Sequence, residues 1–424
     1  MTCIGGLAVD DPDAERLSTL LTGLPSLRSI RGLTLRPPPG AAVAAAQDFL
    51  ALAARTIGRS SCLQDLDLVI DLPDKPADRV PVTFWQYLAT ARALEDLDLT
   101  IRLGTGETRD GIATTNLMTG LAGLSRLRTL TLSVDSVCEG GMLPACVSRL
   151  VQLTSLGMSG LHGLRCAPGW ARLPALLCLS FEDCVFASDG EAALPGMDAL
   201  SALTSLRLWG CPGLTVLPRS LWRLPQLRRL VHWSPPDEPR DELPLASLPA
   251  SAPCFAFLDS LMLSSDLPTW PACLLAMPRL ASLDLSGSCC EQLPEGVSTL
   301  TALTHLGLGR HFAHGGIGGS LDARALGNLA CFPNLHRLRF EHCSVVFCPS
   351  FEAAATHPCL EELVLNYSYP VRGPSFQAFL EFVFALLHQN RAGVLRIHGR
   401  FVRGAGQRGF QRVRVALYAV GFEL

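Results

Sequence analysis

The amino-acid sequence predicts an α/β solenoid, a horseshoe with a concave parallel sheet and a convex side that mixes helices with irregular segments. Three observations lead there. The stretch Leu203-Thr204-Ser205-Leu206-Arg207-Leu208-Trp209-Gly210-Cys211 has the spacing Leu-x-x-Leu-x-Leu-x-x-Cys, which returns on both sides of it. Ile30, Leu63, Leu94 and Leu127 stand 31 to 33 residues apart, and Leu153, Leu176, Leu203 and Leu227 stand 23 to 27 apart, periods typical of stacked supersecondary units. With 48% hydrophobic and 17% charged residues, the chain is rich enough in apolar groups to pack a core along its length.

Clear copies begin at Leu63, Leu94, Leu127, Leu153, Leu176, Leu203, Leu227, Leu258, Leu280, Leu303, Leu335 and Leu360. Three positions on, each has a second leucine: Leu66, Leu97, Leu130, Leu156, Leu179, Leu206, Leu230, Leu261, Leu283, Leu306, Leu338 and Leu363. Weaker copies sit at Ile4/Leu7/Val9, Ile30/Leu33/Leu35 and Leu395/Ile397, bringing the array to about 15 repeats. Period-two alternation sends Leu206 and Leu208 to one face of a short strand and Ser205, Arg207 and Trp209 to the other. One such strand cannot bury its leucines alone, so neighbours must stack as a parallel sheet over a shared core.

These residues resemble the signature of the leucine-rich repeat family over nearly the whole sequence. The resemblance implies one elongated domain over residues 1–398, interrupted by a proline- and acid-rich loop near 234–250 and followed by a carboxy-terminal cap over 399–424. It also implies that Cys184, Cys211 and Cys343, three residues beyond the strand cores, are buried to satisfy turn carbonyls.

Taken in order, the chain opens almost inside a repeat, with Ile4, Leu7 and Val9. A solenoid needs covered ends. Either Asp10–Leu21 supplies a makeshift cap, or the sequence is part of a longer protein whose amino-terminal portion holds an activity. The long early repeats encode convex helices. Ala41–Arg55 is alanine-rich and follows Pro37-Pro38-Pro39-Gly40, and Phe84-Trp85-Gln86-Tyr87-Leu88 opens the next helix, its aromatics packing helix on sheet. In the shorter repeats Leu217-Pro218 and Leu293-Pro294 fall on the convex side. With Leu208–Leu214 they are similar to the repeats of plant-type intracellular immune receptors and bacterial effectors. Ser234–Pro244 reads as a surface loop. Phe376–Gln389 has the pattern of an amphipathic helix, Val394–Ile397 that of a last strand, and the arginines from Arg400 to Arg414 alternate with apolar residues as a cap with its charges in water.

A formal charge of −3 gives no basic stripe for nucleic acid. No apolar run is long enough to span a membrane, and the amino end lacks the basic and apolar regions of a secretory signal. Lys75 is the only lysine; abundant Ala, Gly, Pro and Arg match a GC-rich coding sequence, with avoidance of ubiquitin acceptor sites as the alternative. The 16 cysteines follow neither a disulfide framework nor zinc spacing, and so fit a reducing, cytoplasmic setting. Asn366-Tyr367-Ser368 is a lone glycosylation sequon on a strand. His311–Gly319 joins two histidines to a glycine-rich stretch, but matches neither HExxH nor a phosphate loop, which needs a lysine. No cofactor, metal or catalytic set is expected.

The functional residues are expected on the concave sheet. The partner-binding set is Glu182, Arg207, Trp209, Arg229, Trp233, His305, Arg337 and Arg339, with a secondary acidic patch of Asp65, Asp67, Asp96 and Asp98. Trp and Arg are the types enriched at binding hot spots. The alternative is that Trp209 and Trp233 fold over their own loops, against Pro235 and Pro236. The expected function is a non-catalytic module that binds a protein partner of unspecified identity. The alternative function is the sensor or substrate-recognition region of a larger protein, an immune-receptor ATPase or ubiquitin-ligase component, whose catalytic part is absent from these residues.

Overall fold

The computed structural model describes residues 3–5, 8–9, 28–36, 43–72, 80–103, 120–138, 142–143, 145–167, 169, 171–214, 217–233, 257–264, 272–286, 296–309, 320–322, 331–341, 344–346, 359–360, 362–366, 369–370 and 396–400. The chain forms two compact units, Met1–Leu227 and Arg228–Leu424.

The first unit contains β1 (Cys3–Gly5), β2 (Ala8–Val9), β3 (Ser29–Leu35), β4 (Asp65–Leu72), β5 (Asp96–Leu103), β6 (Thr129–Cys138), β7 (Met142–Leu143), β8 (Ser155–Cys166), β9 (Cys178–Glu182), β10 (Val185–Phe186) and β11 (Ser205–Trp209). All pairings are parallel: β1 and β2 pair with β3, and the sheet then runs β3–β4–β5–β6–β8–β9–β11. Leu66, Leu97, Leu130, Leu156, Leu179 and Leu206 are successive register partners and each is at most 2% exposed. The leucines are therefore shared inward between neighbouring repeats, as the alternation requires. At the entry to each strand one carbonyl serves two donors of the next repeat: Gln64 O accepts from the N–H groups of Glu95 and Asp96, and Leu177 O from those of Thr204 and Ser205.

Behind the sheet, repeat length decides the connection. The long repeats carry α1 (Val43–Gly58) and α2 (Val82–Leu88). Helix α1 buries Ala46, Leu50, Ala53, Ala54 and Ile57; α2 buries Phe84 and Trp85, whose rings meet edge to face with centroids 4.7 Å apart. Among the described residues the shorter repeats carry α3 (Gly190–Ala193) and single 3₁₀ turns at Ala145–Arg149, Met197–Ala199 and Arg219–Arg223. Pro218 precedes the last of these with φ −58°, the angle its ring imposes.

The second unit contains β12 (Arg229–Trp233), β13 (Ser260–Ser264), β14 (Ser282–Ser286), β15 (His305–Gly309), β16 (Ser320–Asp322), β17 (Arg337–Glu341), β18 (Ser344–Val346), β19 (Glu362–Asn366), β20 (Tyr369–Pro370) and β21 (Arg396–Arg400). Its main sheet runs β12–β13–β14–β15–β17–β19–β21, again all parallel. Leu230, Leu261, Leu283, Leu306 and Leu338 form its leucine row. A small parallel sheet of β16, β18 and β20 stands apart from that row. The last strand lies at Arg396–Arg400, later than the expected 394–397, because its register is set by pairing of Ile397 with Leu363. The expected cap at 10–21, the loop at 234–250, the stretch 311–319, the helix at 376–389, the residues 401–424 and Cys343 lie outside the described residues.

Candidate functional site: the open face of the sheet

The strand positions that alternate with the leucines make up the open face of each sheet. In the first unit it begins with four aspartates. Asp65 pairs in register with Asp96, and Asp67 with Asp98. Burial, and then the neighbouring Asp67 carboxylate, raise the pKa of Asp98 above the ordinary 3.8. Further along β4, Asp71 is buried under Arg36, whose Nη2 and Nε donate to the same oxygen at 2.5 and 3.1 Å. The next strands bring a neutral floor of small residues, Thr129, Thr131, Ser133, Ser155, Gly157 and Ser159.

The face then changes character at β9 and β11. Trp209 is the register partner of Glu182, and Arg207 that of Ser180. Arg207 lies over the Trp209 ring, its guanidinium carbon 4.7 Å from the centroid, and its Nε stands 3.1 Å from Glu182 Oε1. Ser180 donates its hydroxyl to the same carboxylate oxygen at 3.2 Å. The indole is half-buried, with the guanidinium of Arg207 over its ring. A cation over an aromatic face is worth about 0.5–1 kcal/mol at an exposed site, enough to favour one orientation of Arg207.

The backbone beneath this cluster is fixed by thiols. Cys184 Sγ donates to Met158 O at 3.5 Å and to Glu182 O at 3.4 Å; Cys211 Sγ donates to Phe181 O at 3.4 Å and to Trp209 O at 3.5 Å. Each links a turn to the preceding repeat, the role expected of these cysteines. Burial pushes the Cys184 thiol up to about 11 and that of nearby Cys166 to about 12, and raises Cys211 as well. These thiols stay protonated and inert as nucleophiles.

In the second unit Arg229 is exposed and Trp233 half-buried on β12. His305, Arg337 and Glu362 are register neighbours on β15, β17 and β19, with Arg337 Nε 3.1 Å from Glu362 Oε2. Burial, then Arg337 and His336, lower the pKa of His305 against the opposing pull of Glu362. Its Nδ1 lies 2.8 Å from Thr304 Oγ1. Arg339 reaches Asp284 at 3.5 Å across the intervening strand, where the register partner of both is Gly307. Of these residues the sequence pattern points to the charged ones; Gly307 and Ser286 carry no signal until the register is known.

Within each unit, then, the structure puts the expected residues on the open face: Asp65, Asp67, Asp96, Asp98, Glu182, Arg207 and Trp209 in the first, and Arg229, Trp233, His305, Arg337 and Arg339 in the second. Among the described residues no group of three or more His, Cys, Asp or Glu side chains is placed to hold a metal ion. Among them, too, no helix is long and apolar enough to cross a membrane.

No family model matches the sequence, and no curated protein does. Solved structures do. An internalin of Listeria monocytogenes superposes with a TM-score of 0.55 at 15% identity, over 93% of this chain and 96% of its own. A leucine-rich repeat protein of Leptospira interrogans is similar with a TM-score of 0.46 at 17% identity, over 88% of this chain and 90% of its own. The plant peptide hormone receptor RGFR1, in complex with RGF2, is similar with a TM-score of 0.38 at 13% identity, over 95% of this chain and 69% of its own. The internalin likeness and the parallel leucine register together show a leucine-rich repeat fold.

Proposed function

We propose that this chain, with its leucine-rich repeat fold, is a non-catalytic module that holds a protein partner on the open face of its sheet. The observation that carries the proposal is the cluster of Arg207, Trp209 and Glu182: a guanidinium stacked on an indole and tied to a carboxylate, outside the leucine core. Side chains already ordered before binding lose less conformational entropy when a partner arrives. Trp and Arg are also the residues that most often dominate binding energy. The raised thiol pKa values leave no activated cysteine among Cys166, Cys184 and Cys211, which favours binding over covalent chemistry. A reducing compartment belongs to the same reading, since Cys62, Cys178 and Cys331 are free thiols that are not fully buried.

The test is retention of proteins from the native cell by the wild-type chain and by the double variant Arg207→Ala/Trp209→Ala. The proposal expects a protein kept by the wild type to be lost, by roughly tenfold or more, while the melting temperature stays within a few degrees. Equal retention by both would remove this cluster from the binding surface.

A further inference from the structure

On the open face of the first unit two groups of carboxylates stand apart. Asp96 and Asp98 are exposed on β5, whereas Glu182 ends β9 and is followed by the exposed Asp183. Strands β5, β6, β8 and β9 are neighbours in that order, so at about 4.8 Å per step the two groups lie roughly 14 Å apart. Between them the face carries Thr131, Ser133, Gly157 and Ser159. These side chains are short, and the main chain of a partner can come close to the sheet over them.

The second group shows which charge this face takes. Arg207 brings its guanidinium carbon 4.7 Å from the Trp209 centroid and its Nε 3.1 Å from Glu182 Oε1, so an indole and a carboxylate already hold a cation. Ser180 donates to that same Oε1. Among the described residues nothing engages Glu182 Oε2, and no hydrogen bond or ion pair engages the carboxylates of Asp96, Asp98 and Asp183. Asp183 holds φ +51° at the turn position that Gly160 and Gly210 fill, and its Oδ1 lies 2.1 Å from where a Cβ of Gly210 would stand. The turn suits glycine, yet the chain keeps a carboxylate there at a cost in backbone strain. Asp98 faces Asp67 in register, a like-charge pairing that also costs stability. A cation arriving at either group offsets uncompensated negative charge. An anion would meet carboxylates and a guanidinium that is already paired.

An extended chain advances about 3.3 Å per residue, so the distance between the two groups corresponds to about four residues. We propose that an extended segment of a protein partner lies across strands β5 to β9, with one Lys or Arg side chain on Asp96 and Asp98 and a second, about four residues along, on Glu182 Oε2 and Asp183. The proposal rests on the reading of the open face as a binding surface and adds the chemistry of what meets the first unit, a basic segment.

The experiment measures binding to the full chain by fluorescence anisotropy at low salt. The probes are labelled Gly/Ser peptides carrying two arginines at positions i and i+4, two adjacent arginines, or two glutamates at i and i+4, together with a single-stranded oligonucleotide. The variants are Asp98→Asn and Asp183→Gly, with Asp198→Asn, in the 3₁₀ turn behind the sheet, as control. Asp183→Gly keeps the turn, since glycine fills its equivalents at 160 and 210. Expected is tighter binding of the i, i+4 arginine peptide than of the other three probes, weakened about threefold to fivefold by each of Asp98→Asn and Asp183→Gly and unchanged by the control. Circular dichroism checks that both variants fold, and Asp96→Asn or Asp183→Asn replaces one that does not. Undetectable binding, equal binding of the two arginine spacings, indifference to both variants, or tighter binding of the glutamate peptide or the oligonucleotide overturns the proposal. If the peptides show no preference while Arg207→Ala/Trp209→Ala still loses the native partner, the basic segment falls alone. If the peptide pattern holds while that double variant retains the partner, the Arg207 and Trp209 cluster falls and the basic segment stands.

Discussion

At Asp65/Asp96 and Asp67/Asp98 the open face of the first unit sets like charges side by side, whereas the strands β14 to β19 of the second set unlike charges within reach of each other. Asp67 and Asp98 are register partners, and burial, then the Asp67 carboxylate, disfavour ionisation of Asp98. Arg337 and Glu362 are register partners of opposite sign, and Asp284 meets Arg339 by crossing a glycine. The leucine rows beneath are the same in both units. Like charges opposite one another on a sheet cost about 0.2–1 kcal/mol, and no part of the core requires them there. The contrast teaches that this fold fixes where the open-face side chains stand but not the sign of their charges.

The largest effect expected from this contrast compares two glycines. Gly157, on the open face of the first unit, would place a Cβ 3.7 Å from Thr131, an ordinary contact, so Gly157→Ala should be neutral or stabilise by about 0.5 kcal/mol through lower unfolded-state entropy. Gly307→Ala must displace the Asp284 carboxylate and should cost about 1–2 kcal/mol. Denaturant midpoints of the two variants should therefore move in opposite directions or by clearly different amounts. Equal shifts would mean that Asp284 yields at no cost.

A smaller effect is expected from charge removal. Asp98→Asn should raise stability at neutral pH by less than about 1 kcal/mol, because it removes a repulsion between partly solvated groups. Arg337→Gln in the second unit should lower it by a similar amount. Thermal melts at low ionic strength check both, and high salt should shrink the difference.

The smallest effect is in the pH dependence, where the two faces should respond with opposite sign. Asp98 has a folded pKa above 3.8, so the folded state binds the proton more tightly, and stability falls as pH rises from 3.8 through the folded value. His305 has a folded pKa below 6.5, so its contribution is present above 6.5 and is lost as pH falls through the folded value. His305→Gln should flatten the stability profile just below 6.5, and Asp98→Asn should flatten it above 3.8, each without touching the other window.

How much of this was readable beforehand follows from the range over which each signal acts. The leucine rows are local and periodic, and the twelve first-position leucines from Leu63 to Leu360 are all buried. Cys184 and Cys211 were likewise legible, since a fixed offset from the strand core places them. So were α1 and α2, from alanine content and the proline stop before the first. The candidate site was legible as a set of alternating positions but not as a set of contacts. Arg207 lying on Trp209 depends on rotamers, and the reach of Arg339 over Gly307 joins three repeats separated by 23 and 32 residues, from 284 to 307 to 339. Only an alignment of the repeats by register shows that the middle position has no side chain. Asp183 was equally hidden: it holds φ +51° at the turn position that Gly160 fills at +72° and Gly210 at +62°, and its carboxylate covers Gly210.

The central claim is that the side chains alternating with the leucines, and not those behind the sheet, meet the partner. Photo-crosslinking from single positions of the first unit tests it most directly, with the reactive residue placed at Ser205 on β11 or at the exposed Tyr87 on α2. Crosslinking in the native cell should join one foreign protein to the chain from Ser205 and leave Tyr87 without that product. The same protein captured from Tyr87 and not from Ser205 would contradict the claim.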